Sequence, residues 1–190
     1  KEDDLLNGKL EQTNEGYALA KIMVAKLCEY ISKRNKLNFK TIIPCNLFGK
    51  FDKFDPKYSH MIPAVIRKIH LAKKQNTSTV IWGDGSARRE FMYVENLSDF
   101  ILFAIDNFEK LDSYTNVGHG VDYSILDYYK LIASEIGYEG EFKHDLTKPV
   151  GMKRKLADVT KQNNLGWSPK YSLSQGIKKT YKYYLDNYGI

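Results

Sequence analysis

The chain has no pairing pattern for its cysteines. Only Cys28 and Cys45 occur in 190 residues, in no CxxC and in apolar or helical surroundings. Neither a disulfide framework nor a metal site is indicated, and a reducing, cytoplasmic compartment fits best. No run approaches the ~20 apolar residues of a membrane helix, and the start carries no basic-then-apolar leader, so no membrane partner is expected. Internal repeats and low-complexity segments are absent too. The sequence also lacks the GxGxxG turn on which a dinucleotide pyrophosphate is seated, and it opens at Lys1 rather than Met. The expectation is therefore the C-terminal part of a longer polypeptide.

The composition, 43% hydrophobic and 13% aromatic, suffices for a sizeable core without covalent staples. A net charge of +6 is compatible with nucleic acid, an acidic surface or a small polyanion. The basic residues are scattered along helix faces, as in Lys33-Arg34, Lys73-Lys74 and Lys178-Lys179, and no nucleic-acid reader motif accompanies them. A nucleic-acid partner is not expected.

Leu19, Ile22, Met23, Leu27, Tyr30 and Ile31 recur at helical spacing and predict a helix from about Thr13 to Arg34 with that stripe buried. Tyr17 and Lys21 then fall on a flank with Ala18 and Ala25, facing outward. Phe39–Pro44 reads as a buried strand, which Pro44 ends. Residues 49–59 read as a loop over a site, and residues 62–74 as a helix with Pro63 in its first turn. Val80-Ile81-Trp82 is a short strand closed by Gly83-Asp84-Gly85. Downstream, Leu97, Phe100, Ile101, Ala104, Ile105 and Phe108 mark the core side of another helix. Thr115–Gly118 is a strand and turn, Glu141–His144 another strand, and residues 160–165 a short helix. Ser124-Ile125-Leu126-Asp127 and Ser172-Leu173-Ser174-Gln175 resemble capping boxes. The second opens a helix packed through Leu173, Ile177, Tyr181, Tyr184, Leu185 and Tyr188. Helices alternating with short strands predict an α/β fold with a parallel sheet.

The stretch with the most chemical content is Tyr17-Ala18-Leu19-Ala20-Lys21. A phenol with its usual pKa of ~10 is a poor acid–base group at neutral pH, but an ammonium one helical turn away stabilises the phenolate. Such a pair can donate a proton to a carbonyl oxygen.

Thr13–Lys21, Pro44-Cys45-Asn46-Leu47-Phe48-Gly49, Ser59-His60-Met61-Ile62-Pro63, Trp82-Gly83-Asp84-Gly85, Arg88-Arg89-Glu90-Phe91, Asn116-Val117-Gly118, Arg154-Lys155 and Leu165-Gly166-Trp167 follow one another along the chain. In that order the sequence resembles the extended short-chain dehydrogenase/reductases, and among them the GDP-L-fucose synthase group, over essentially its whole length. The resemblance implies the C-terminal part of a Rossmann-type doubly wound parallel sheet plus a smaller α/β substrate-binding domain. Residues 1–57 would belong to the NADP-binding part and 58–190 mainly to the substrate part, with residues around 89–120 returning to the first. By analogy about 100 to 120 preceding residues would hold the glycine fingerprint, a Ser completing the Ser-Tyr-Lys set, and a Cys used in epimerisation. Cys28 and Cys45 do not occupy that Cys's place.

What the resemblance implies about roles is specific. Tyr17 would protonate the C4 oxygen as hydride arrives from NADPH, while Lys21 lowers the tyrosine's pKa and holds the nicotinamide ribose. Pro44, Cys45, Asn46 and Leu47 would line NADP(H), with His60 beside them. His60 would exchange a proton at the carbon next to the ketone, since imidazole is the side chain suited to proton transfer at neutral pH; read on its own it is more often a helix cap or surface residue. Lys68, Trp82, Arg89 and Lys155 would contact a GDP-linked 4-keto-6-deoxy sugar, with no metal. Two departures fall on the substrate side: Lys68 stands where many relatives carry Arg, and Val150 in Lys148-Pro149-Val150-Gly151 replaces a common Asp. The implied reaction turns GDP-4-keto-6-deoxy-D-mannose into GDP-L-fucose, in a homodimer. A GDP-heptose enzyme and a non-catalytic nucleotide-sugar module are the alternatives.

Overall fold

The computed structural model describes residues 1–148 and 151–189; Pro149 and Val150, with the departure noted at the latter, lie outside the described residues. Helix α1, Glu15–Asn35, ends where Lys36 turns into the left-handed region. Strand β1, Thr41–Pro44, follows and pairs in parallel with β6, Tyr114–Val117. Between them lie β2 (Asn46–Phe48), α2 (Met61–Gln75), β3 (Thr79–Trp82), β4 (Arg88–Arg89), β5 (Phe91–Tyr93) and α3 (Val94–Asp106). Parallel neighbours require a crossover rather than a hairpin, and here the crossovers carry helices. After β6 come β7 (Tyr123–Ser124), α4 (Ile125–Ile136), β8 (Phe142–Asp145), β9 (Arg154–Lys155), α5 (Thr160–Asn164) and α6 (Leu173–Tyr188). β2 pairs with β5 and β3 with β8, both in parallel. β4 lies between antiparallel β7 and parallel β9. The fold is α/β.

Two apolar cores are formed. One gathers Met92, Phe100, Ala104, Leu111, Val117 and Trp167, with Ile42, Cys45 and Leu47 packed on it. The other joins α2, α4 and α6 through Ile62, Ile66, Ile69, Tyr128, Ile132, Ile177 and Tyr184. Successive strand residues point to opposite faces, so β2 and β5 serve both cores. Leu47 and Met92 enter the first, and Phe48, Phe91 and Tyr93 the second. Each fully buried isoleucine of α2 contributes roughly 2 kcal/mol of transfer free energy.

Both capping boxes form. The Ser124 and Asp127 side chains each accept the other's backbone N–H at 3.0 Å, and Ser172 and Gln175 do the same at 3.3 and 2.9 Å.

The apolar face of α1 follows the sequence expectation only in part: Ile22 and Ile31 of the expected stripe are half-buried. Leu19, Met23, Leu27 and Tyr30 are exposed, whereas Ala25 is the buried residue of the helix, and Ala18 and Ile22 share its inward side. Small side chains let the helix approach β6, where Tyr114 donates to the Ala25 carbonyl and to Glu29. In α3, Phe100 and Ala104 are buried but Ile101 and Ile105 are exposed, and Phe108 has passed into a separate turn. In α6, Leu185 and Tyr188 are exposed near the helix end rather than set in the core.

Candidate active site

Tyr17 and Lys21 sit in the first two turns of α1, both exposed, with the Lys21 Nζ 5.7 Å from the Tyr17 ring centre. The i, i+4 spacing therefore brings ammonium and phenol ring together as the helix requires.

Pro44 to Leu47 span the carboxyl ends of β1 and the start of β2. The Cys45 N–H donates to the Val117 carbonyl at 2.8 Å, and Asn46 Nδ2 donates to the Glu90 carbonyl at 2.7 Å. This strand end is where open α/β sheets receive nucleotide ligands. Burial, and then the neighbouring Glu90 charge, push the Cys45 thiol far up, which favours its neutral form. His119, at the end of β6, buries Nε2 without a hydrogen-bond partner among the described residues, and burial lowers its pKa.

His60 occupies the N-cap position of α2 in extended backbone, is exposed, and makes no side-chain capping bond. Asp52 lies close by: burial raises its pKa, and the charge of His60 acts in the opposite sense.

Lys68 and Trp82 are brought together, with the ammonium 4.7 Å from the ring centre and 3.4 Å from the Val80 carbonyl. Partial burial lowers the Lys68 pKa. Trp82 is 59% exposed and is no core residue. The signal was in the strand: Thr79 and Ile81 are buried, so alternation turns Val80 and Trp82 outward.

Arg89 and Lys155 are Cα partners across β4 and β9, as are Arg88 and Arg154. On one side, Arg88 donates to Asp122 at 2.9 Å, and Arg154 binds the other oxygen of the same buried carboxylate. Those bonds, Arg154's foremost, hold the Asp122 pKa below the usual range. Alternation then directs Arg89 and Lys155 to the opposite side, free of that carboxylate. Among the described residues no hydrogen bond or ring contact joins the Tyr17–Lys21, Lys68–Trp82 and Arg89–Lys155 pairs to one another.

The sequence profile of the NAD dependent epimerase/dehydratase family matches residues 1–118. The chain belongs to this family. It is 58% identical over 187 residues to a GDP-L-colitose synthase of Yersinia pseudotuberculosis, covering 97% of this chain and 61% of that protein. It is 52% identical over 186 residues to a GDP-L-fucose synthase of Azorhizobium caulinodans, covering 97% of this chain and 60% of that one. Among solved structures, a GDP-mannoheptose C4 reductase from Campylobacter jejuni with NADP bound superposes with a TM-score of 0.86 at 31% identity, over 97% of this chain and 64% of the other. This epimerase/dehydratase-family chain thus spans about 60% of the length of the curated relatives it matches.

Sequence reading passed over two groups in this family member. Asp122 is one, and its turn position gave no sign of two arginine partners. Glu90 is the other, 1% exposed, with Oε1 accepting from Gly120 N at 2.8 Å and Oε2 from Ala157 N at 3.0 Å. A glutamate directly before the apolar run Phe91-Met92-Tyr93-Val94 was an available signal, because a charge there must find partners.

Proposed function

We propose that the protein is an NADPH-dependent epimerase/reductase acting on a GDP-linked 4-keto-6-deoxy sugar, with GDP-4-keto-6-deoxy-D-mannose going to GDP-L-fucose as the first reading. The observation that carries it is the pairing of Arg89 with Lys155, two cations side by side whose sheet neighbours are already committed to Asp122. Adjacent fixed cations are what a diphosphate requires. Exposed Trp82 beside Lys68 offers a flat apolar surface next to a further charge.

In this reading Tyr17 donates its phenolic proton to the C4 oxygen, and Lys21 stabilises the phenolate that remains. His60 exchanges a proton at the carbon adjacent to the ketone, where the carbonyl makes the C–H acidic. NADPH, when bound, supplies the hydride. Pro44, Cys45, Asn46 and Leu47 at the strand ends suit the nicotinamide end of the cofactor, and the nearby His119 Nε2, without a hydrogen-bond partner among the described residues, fits a polar ligand there. In this reading residues 1–57 and the return around 89–120 belong to the cofactor side and residues 58–190 mainly to the substrate side, with Phe48, Phe54, Phe91 and Tyr93 joining the two through the α2–α4–α6 core. The exposed Leu19, Met23, Leu27 and Tyr30 stripe supports a homodimer through α1, and two unpaired cysteines suit the cytoplasm.

A second reading, formation of GDP-L-colitose, is favoured by the 58% identical relative. Fucose and colitose differ by the C3 hydroxyl, so one experiment separates them. The natural protein, NADPH and each GDP-4-keto sugar are combined in heavy water, and the products are resolved by NMR. GDP-L-fucose with deuterium at C3 and C5 supports the first reading. Turnover of the 3-deoxy substrate alone selects the second, and GDP-sugar binding without NADPH oxidation rejects both.

A further inference from the structure

We propose that Glu90 is a positioning residue: its carboxylate fixes the segment that follows Lys155 so that Lys155 stands beside Arg89 for a diphosphate. The inference rests on the reading of Arg89 and Lys155 given above.

Glu90 follows Arg89 directly and is almost wholly buried. No cation forms an ion pair with it among the described residues, so its charge is met by backbone amides. A buried carboxylate without a cation is costly, and it persists where N–H donors converge on it. Here they come from two separate stretches of chain. Gly120 N reaches Oε1 from the turn after β6, and Ala157 N reaches Oε2 from the residues just beyond β9. The fit is close: a Cβ on Gly118 would lie 2.2 Å from Oε1.

Only a carboxylate can meet both donors. A glutamine accepts through one oxygen and turns an NH₂ toward the second N–H, where two donors oppose each other. The Glu90 link therefore sets how far β9 runs beside β4 before the chain leaves. Asp122 secures the same strands through Arg88 and Arg154. Two buried acids, both on the side away from Arg89 and Lys155, thus hold those two residues in register. Neither touches the proposed ligand, so the action of Glu90 is exerted through Lys155.

The test is a double-mutant cycle on GDP affinity, measured by calorimetry with the natural protein, Glu90→Gln, Lys155→Ala and the double variant. E90Q weakens GDP binding about 10-fold when Lys155 is present and less than about 2-fold when it is alanine, the non-additivity expected of residues acting through one contact. Gly118→Ala, which crowds the carboxylate without removing it, gives the same dependence on Lys155 and serves if E90Q does not fold. An equal loss in both Lys155 backgrounds overturns the positioning role while leaving the functional reading intact. Failure of the unaltered protein to bind GDP overturns that reading, and this inference with it.

Discussion

The phenol of Tyr114 donates a 2.6 Å hydrogen bond to Glu29, joining strand β6 to the helix that carries Tyr17 and Lys21. Lys33 and Lys26 close on the same carboxylate at 2.6 and 3.0 Å. Hydrogen bonds from Lys33, then Tyr114 and Lys26, bring the Glu29 pKa down to about 2. A carboxylate whose pKa is lower folded than unfolded stabilises the fold above its unfolded value of 4.5. That contribution is lost as pH falls from 4.5 through about 2. Glu29→Gln is therefore expected to lose less stability than the natural protein over this range, in urea melts taken at stepped pH. Equal slopes for the two proteins count against the assignment. Tyr114→Phe at neutral pH is expected to cost about 1 kcal/mol, the net worth of one hydrogen bond.

Removing the Tyr17 hydroxyl tests the proton donor. Tyr17→Phe is expected to lower turnover by roughly 10² to 10⁴, with GDP affinity unchanged. Lys21→Met is expected to lower it comparably and to weaken NADPH binding. Steady-state rates paired with calorimetry separate the effects. A Tyr17→Phe variant that keeps more than about a tenth of the activity excludes this tyrosine as the acid.

Trp82 gives a cleaner division between folding and binding. Exposed as it is, its replacement by alanine is expected to change stability by less than about 0.5 kcal/mol. Affinity for the GDP-sugar is expected to fall together with the loss of the Lys68 contact. Thermal melts and titrations on the same sample decide it, and a large drop in melting temperature would mean that the tryptophan supports the fold.

Gly176 in α6 predicts the opposite pattern. A Cβ there would lie 2.7 Å from Tyr93 Cβ and 3.0 Å from the Phe48 ring. Gly176→Ala is expected to destabilise the protein by about 1–3 kcal/mol, because overpacking outweighs the gain in helix propensity. Chemical denaturation measures this directly, and a neutral result would show that α6 can move away without cost.

Local signals were read well from sequence because their physics is local. The capping boxes at Ser124–Asp127 and Ser172–Gln175, the end of β1 at Pro44 and the Tyr17–Lys21 spacing all depend on residues within one turn of one another. The six α-helices and strands β1, β3, β6 and β8 could be located in this way, but not β2, β4, β5, β7 and β9, each only two or three residues long.

Two decisions belonged to the tertiary structure. α1 has two apolar faces, and helical periodicity cannot say which one the sheet takes. The side that carries buried Ala25 meets β6, where Tyr114 reaches the Ala25 carbonyl and Glu29. The bulky stripe of Leu19, Met23 and Leu27 is left outward. The second decision is the company kept by Arg89: Lys155 beside it, with Glu90 and Asp122 holding the strands, follows from parallel pairing of segments distant in the chain. The sequence by itself determined the helices and the longer strands and named the candidate side chains. The Arg89–Lys155 pair needed the tertiary structure, because only strand register sets residues from separate segments side by side.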